Sequence, residues 1–235
     1  MQSQVVLSAL CLVSSLGTSG NDDTGDAAFR RDAQTTGRKP STFDLRPLTF
    51  DPRPSPSSRV PDLSIRIKKK ADGSAALTCL RADGSTTWQR QEGRLGAFFP
   101  LHDLTHYAVE TTLGFSRAFY GLVAEGWDLS SFAEPGTKNR LPEEAGLAEL
   151  IVGFLDAERA TGVASTADDF NWKINTYLDA HGLPPTSFRM TAETLDEILR
   201  CRDKLFARWR AVAPGDTLEL TFDRKPVDTK AAASS

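Results

Sequence analysis

The sequence predicts an α+β fold: a small antiparallel β-meander packed against four or five helices. Three observations lead there. Between 63 and 91 three short segments alternate apolar and polar residues, as half-buried strands do. Two near-copies of one turn, Lys70-Ala71-Asp72-Gly73-Ser74 and Arg81-Ala82-Asp83-Gly84-Ser85, separate those segments. Asp-Gly is a strong hairpin signal because Gly accepts the positive φ of a tight turn. From about 99 to 212 the apolar residues recur at helical spacing instead.

The strands are expected at Leu63 to Lys69, Ala75 to Arg81 and Thr86 to Gln91, and Thr217 to Phe222 alternates as a fourth. Pro100 sits where a helix can start, and nothing from Leu101 to Leu113 breaks one, so a helix is expected from about Leu101 to a stop at Gly114. The apolar residues from Phe115 to Val123 suggest a following helix that carries Glu125. Leu141-Pro142-Glu143-Glu144 opens another, with acids in its first turn, running to about Arg159. Ser165 or Thr166 can cap the next, which passes Phe170, Ile174 and Tyr177 to His181, with Gly182 as its stop. The last runs from about Thr191 to Val212 through Leu195, Ile198, Leu199, Leu205 and Trp209. These apolar stripes read as core.

Length and composition bound the rest. At 235 residues and 40% hydrophobic content, the chain can bury one sizeable core plus a tail. Residues 62–225 are expected to form that single domain. Residues 1–61 form an N-terminal extension: a signal-like apolar run from Val5 to Leu16, then a linker rich in Asp, Ser, Thr, Arg and Pro, with too little apolar surface to order itself. Phe43, Leu45, Leu48 and Phe50 are the exception and could dock on the domain. Residues 226–235 should fray. The apolar run is too short to span a bilayer and no Lys or Arg precedes it, so a cytoplasmic location is expected, with secretion or a periplasmic location following if residues 1–20 act as a signal peptide. No integral membrane segment is expected. The net charge of −3, with acids and bases interspersed, gives no electrostatic case for nucleic acid. Cys11, Cys79 and Cys201 are scattered, which supports neither a disulfide framework nor a thiolate metal site.

Chemistry concentrates in one stretch, Phe98-Phe99-Pro100-Leu101-His102-Asp103-Leu104-Thr105-His106-Tyr107-Ala108-Val109-Glu110, which holds two of the three histidines. At 3.6 residues per turn, His102, His106 and Glu110 fall one above another on a single helical face, with Asp103 at its edge. Two imidazoles four residues apart can reach one metal ion, and Glu110 or the later Glu125 could complete the set. His181, in the last turn of its helix, is better explained by the helix dipole.

His102-Asp103-x-x-His106, eighteen residues, then Glu125 resembles the His-Glu-x-x-His, eighteen residues, Glu pattern of the gluzincin metallopeptidases, and Glu125-Gly126-Trp127 resembles their Glu-Gly-aromatic run. The resemblance implies zinc ligands at His102, His106 and Glu125, with Asp103 in the general-base position. Asp103 is one methylene shorter than that family's Glu. The same His-Asp-x-x-His is similar to the zinc motif of a coenzyme Q biosynthesis family, whose Glu position here is Ala118. HD-type phosphohydrolases need a further His upstream, and none precedes His102. The stretch through Tyr107 also resembles small bacterial proteins that share an HDxxH helix, which implies no activity.

The expected function is that of a metal-binding protein, a zinc-dependent (or other divalent-metal) hydrolase acting on a small molecule or peptide. The alternative is a non-catalytic structural or binding domain whose histidines hydrogen-bond within the core. No phosphate loop, nucleophile motif or basic groove constrains the substrate.

Overall fold

The computed structural model describes residues 61–224. The signal-like run, the linker with Phe43 to Phe50 and the C-terminal tail lie outside the described residues. Within them the elements are β1 (Leu63–Lys69), β2 (Ala75–Arg81), β3 (Thr86–Gln91), α1 (Phe99–Leu113), α2 (Phe119–Ala124), α3 (Glu143–Thr161), α4 (Ala167–Ala180), α5 (Ala192–Ala211) and β4 (Thr217–Phe222), with short 3-10 turns after β3 and α2. This is the expected α+β architecture, with all four strands at the expected bounds.

The sheet is antiparallel throughout, in the order β3-β2-β1-β4. Leu63 stands opposite Arg81 on one side and Phe222 on the other. Both Asp-Gly turns are built alike. Gly73 and Gly84 take φ of 80° and 85°, where a Cβ would be strained. Asp72 Oδ1 accepts from the Ser74 N–H at 3.0 Å, and Asp83 Oδ1 from the Ser85 N–H at 2.8 Å.

One face of the sheet is apolar and buried. Leu63, Ile65, Ile67, Leu77, Cys79 and Phe222 pack against Leu104 and Ala108 of α1, Tyr120 and Val123 of α2, and Leu205 and Trp209 of α5. A second cluster joins Val109 of α1 to Ile151 and Leu155 of α3, Phe170 and Ile174 of α4, and Leu195 and Ile198 of α5. Helix α1 thus lies between a sheet-facing core and a helical core. Few of its side chains meet water.

Helix ends follow local chemistry. Helix α1 begins at Phe99, slightly before the expected Leu101, with Pro100 in its first turn, and ends at Gly114 in the left-handed conformation. Thr166 and Asp169 form a reciprocal capping box at α4, and the Thr191 hydroxyl accepts from the Thr194 N–H at α5. Cys79 and Cys201 are free. No helix among the described residues is long and apolar enough to cross a membrane.

A buried cation, Arg81, and a half-buried one, Lys69, tie the layers together. Arg81 donates to the Val123 carbonyl at 2.7 Å and the Trp127 carbonyl at 2.6 Å, joining β2 to the end of α2. Lys69 Nζ donates to the carbonyls of Trp209 and Val212, both at 2.7 Å, at the end of α5.

The turn from α1 into α2 is tight enough to require glycine. A Cβ on Gly121 would lie 2.0 Å from the Ser116 carbonyl oxygen, a backbone atom that cannot swing away. Gly121→Ala is expected to lower the unfolding free energy by about 2–3 kcal/mol. Urea denaturation measures it, and an unchanged midpoint would refute the assignment.

Candidate metal centre

Helix α1 buries four ionisable side chains, His102, Asp103, His106 and Glu110, and each meets a partner from outside the helix. His102 Nδ1 lies 2.7 Å from Asp156 Oδ2 of α3. His106 Nε2 lies 3.5 Å from Glu149 Oε1, also on α3. The lower-numbered histidine meets the higher-numbered acid, so the two helices run antiparallel. On its other side, His106 Nδ1 faces Glu110 Oε1 at 3.4 Å, and neither atom has a hydrogen-bond partner. Glu110 Oε2 accepts from the backbone N–H groups of Tyr120 at 2.9 Å and Gly121 at 3.4 Å, at the start of α2. Gln91, the last residue of β3, donates from Nε2 to Asp103 Oδ2.

His102, His106 and Glu149 each offer a ligand atom, and those atoms all lie within 4.8 Å of one another. The edge of a tetrahedral zinc site is about 3.4 Å, given metal–nitrogen bonds of about 2.1 Å. The 3.5 Å from His106 to Glu149 matches it, and the remaining separations are within 4.8 Å. With Nδ1 of each imidazole turned to a carboxylate, Asp156 or Glu110, Nε2 is the nitrogen left for an ion. Carboxylates in that outer position orient ligating histidines and raise their basicity.

Protonation separates the two histidines. Burial pulls the His106 imidazole down to about 4, so it is neutral at pH 7 with its lone pair available. Burial also works against a charge on His102, but the hydrogen bond and charge of Asp156 outweigh it and raise its pKa. Burial pushes Asp103 up to about 6 despite the opposing pull of His102 and Gln91. Glu110, fully buried, is pushed well above the carboxylate range, with the Tyr120 and Gly121 N–H groups pulling the other way. Asp156 is held low: its bonds and charge contacts with His102 and Arg159 exceed the cost of its burial.

His102, Asp103, His106 and Glu149 line a cavity of about 470 Å³, within the size range of ligand sites. Further walls come from the end of β3 and Glu92 just beyond it, and from Phe99, Phe119 and Phe132. Phe98 stacks on His102, and Phe119 covers His106.

The residues singled out in the sequence divide. His102 and His106 converge with Glu149, and Asp103 lines the same cavity. Glu110 stands behind His106 rather than in the converging group. The structure does not bring Glu125 to the histidines. Helix α2 stops at Ala124, leaving Glu125 as its C-cap, 3.1 Å from Arg117 Nε and 3.6 Å from Arg224 Nη1. Its carboxylate is committed to those two cations. His181 ends α4, where Nδ1 bonds the Tyr177 carbonyl oxygen at 2.8 Å.

Sequence reading missed Glu149 and Asp156. Glu149, Val152 and Asp156 fall at i, i+3 and i+7, one face of α3. Two carboxylates in step with an apolar stripe were the available signal.

The chain matches no family model, no curated protein and no solved structure. The resemblances to zinc-enzyme families therefore rest on the motif alone.

Tyr120, in the sheet-facing core, braces α1 by donating from its hydroxyl to the Asp103 carbonyl oxygen at 3.1 Å. Tyr120→Phe keeps the ring and removes that bond. The expected loss is about 1 kcal/mol of stability by urea denaturation, with the fold retained.

Proposed function

We propose that this protein binds one divalent ion, zinc in the first instance, through Nε2 of His102, Nε2 of His106 and a carboxylate oxygen of Glu149, and hydrolyses a small molecule or peptide held in the adjoining cavity. One observation carries the reading: two histidines, each backed at Nδ1 by a buried carboxylate, converge with a third acid on a cavity wall. Three protein ligands leave an open position, as catalytic rather than structural zinc sites do. A bound ion supplies a Lewis acid and acidifies water at neutral pH. In this reading Asp103, oriented by Gln91, takes the general-base role, and the aromatic walls keep bulk water out.

The bond between His102 and Asp156 favours a second reading, in which the histidines serve the core alone. Metal content separates the two. Elemental analysis of the purified chain is expected to find about one zinc, iron or similar ion per chain. The His102→Ala/His106→Ala variant should lose it, Glu149→Gln should lose most of it, and Glu125→Gln should keep it. No bound metal after incubation with zinc would sink the proposal; loss in Glu125→Gln but not in Glu149→Gln would reassign the third ligand.

Asp156→Asn tests the support behind His102. Removing its charge should weaken metal affinity about 10–100-fold while leaving the ligand set intact, as read by competition with a chromophoric chelator. Asp103→Asn should bind metal as the parent does yet lose turnover of peptide and ester substrates.

A further inference from the structure

A second cavity, of about 680 Å³, lies beside α5 and is lined by none of His102, His106 and Glu149. Leu101 of α1 and Leu199, Phe206 and Trp209 of α5 give it apolar walls. Its charged lining is one-sided: Lys69, Arg159, Arg202 and Arg210 against a single acid, Glu158. That acid is engaged, since Glu158 Oε1 accepts from the Ser165 N–H at 2.7 Å. Four cations around one cavity stand out in a chain whose net charge is −3.

Three of the four cations are held by the surrounding structure. Lys69 Nζ is fixed by two carbonyls and sits 4.6 Å from the centre of the Trp209 ring. Arg202 lies 5.7 Å from the Phe206 ring centre, with its side chain only 16% exposed. Its Nε and Nη2 reach Asp203, and Arg159 uses the same two atoms on Asp156. In both guanidinium groups Nη1 has no acceptor among the described residues. Each guanidinium therefore keeps donors for an anion, because it offers five N–H donors in a fixed fork.

We propose that this cavity binds an amphiphilic anion, a carboxylate or phosphate head on an apolar tail. The head meets Arg159 and Arg202, and the tail lies against Leu199, Phe206 and Trp209. Charge complementarity selects this occupant. A wholly apolar ligand would strip water from the guanidinium donors without replacing it, a small hydrophilic anion would leave the apolar wall wet, and a cation would be repelled. Arg159 also bonds Asp156, the carboxylate behind His102, so one side chain is shared by this cavity and the support of the histidine site.

The test is calorimetric titration of the full chain with dodecanoate, dodecyl phosphate and dodecyltrimethylammonium, each below its micelle concentration. Saturable binding of an anion is expected, the tighter of the two identifying the head as carboxylate or phosphate, with no binding of the cation. Arg202→Gln should weaken that binding roughly 10–100-fold, the effect of losing one charged hydrogen bond. Ala164→Glu, at an exposed position on the cavity lining, should weaken it in the same direction without touching the core. Circular dichroism confirms that both variants fold. The proposal is overturned if neither anion binds saturably, if the cation binds as tightly, or if both folded variants bind the anions unchanged.

Discussion

The structure depends on how α1 satisfies its own buried polar groups. His102, Asp103, His106 and Glu110 are all 6% exposed or less, on a helix whose remaining faces are committed to two apolar clusters. A buried ionisable group is costly unless something answers it, and no residue on α1 itself answers more than one of these. Asp156 and Glu149 must come from α3, the Gln91 amide from the end of β3, and two backbone N–H groups from the first turn of α2. Each demand fixes the place of one neighbouring element. An all-apolar α1 would be easier to bury, so four such groups in three turns make the place of this helix depend on the partners its neighbours supply.

Much of this was legible because it is local. Period-two alternation bounded by Asp-Gly turns marks the strands, and the span from Pro100 to Gly114 marks α1, since turn and helix signals depend on residues a few positions apart. The histidine face is equally local: residues four apart on a helix must be neighbours. The third acid is not local. Glu125 has the spacing of a known zinc pattern, but α2 is only six residues long, so its carboxylate emerges where Arg117 and Arg224 capture it. Glu149 reaches the site instead because α3 runs back along α1, and sequence spacing carries no record of which helix returns to which. The i, i+3, i+7 run of Glu149, Val152 and Asp156 held that information in a weaker form.

Position in the core also constrains α1. Helix α1 faces the sheet through Leu104 and Ala108 and the helical cluster through Val109, so it cannot rotate without opening one or the other. Arg81 and Lys69 add fixed links from the sheet to α2 and α5. The histidines are thus presented by a helix packed on two sides, while the aromatic residues that wall the cavity come from its first turn and from the surrounding elements.

The antiparallel pairing of α1 and α3 has a mechanical corollary. His102 and His106 are one turn apart, and the acids facing them, Asp156 and Glu149, are two turns apart on the partner helix, so the polar contacts hold in a single register. A slip of α3 by one turn, about 5.4 Å, would part both pairs at once. An ion bridging the two helices would act as a latch on that register, since it could be held only while both helices keep their places.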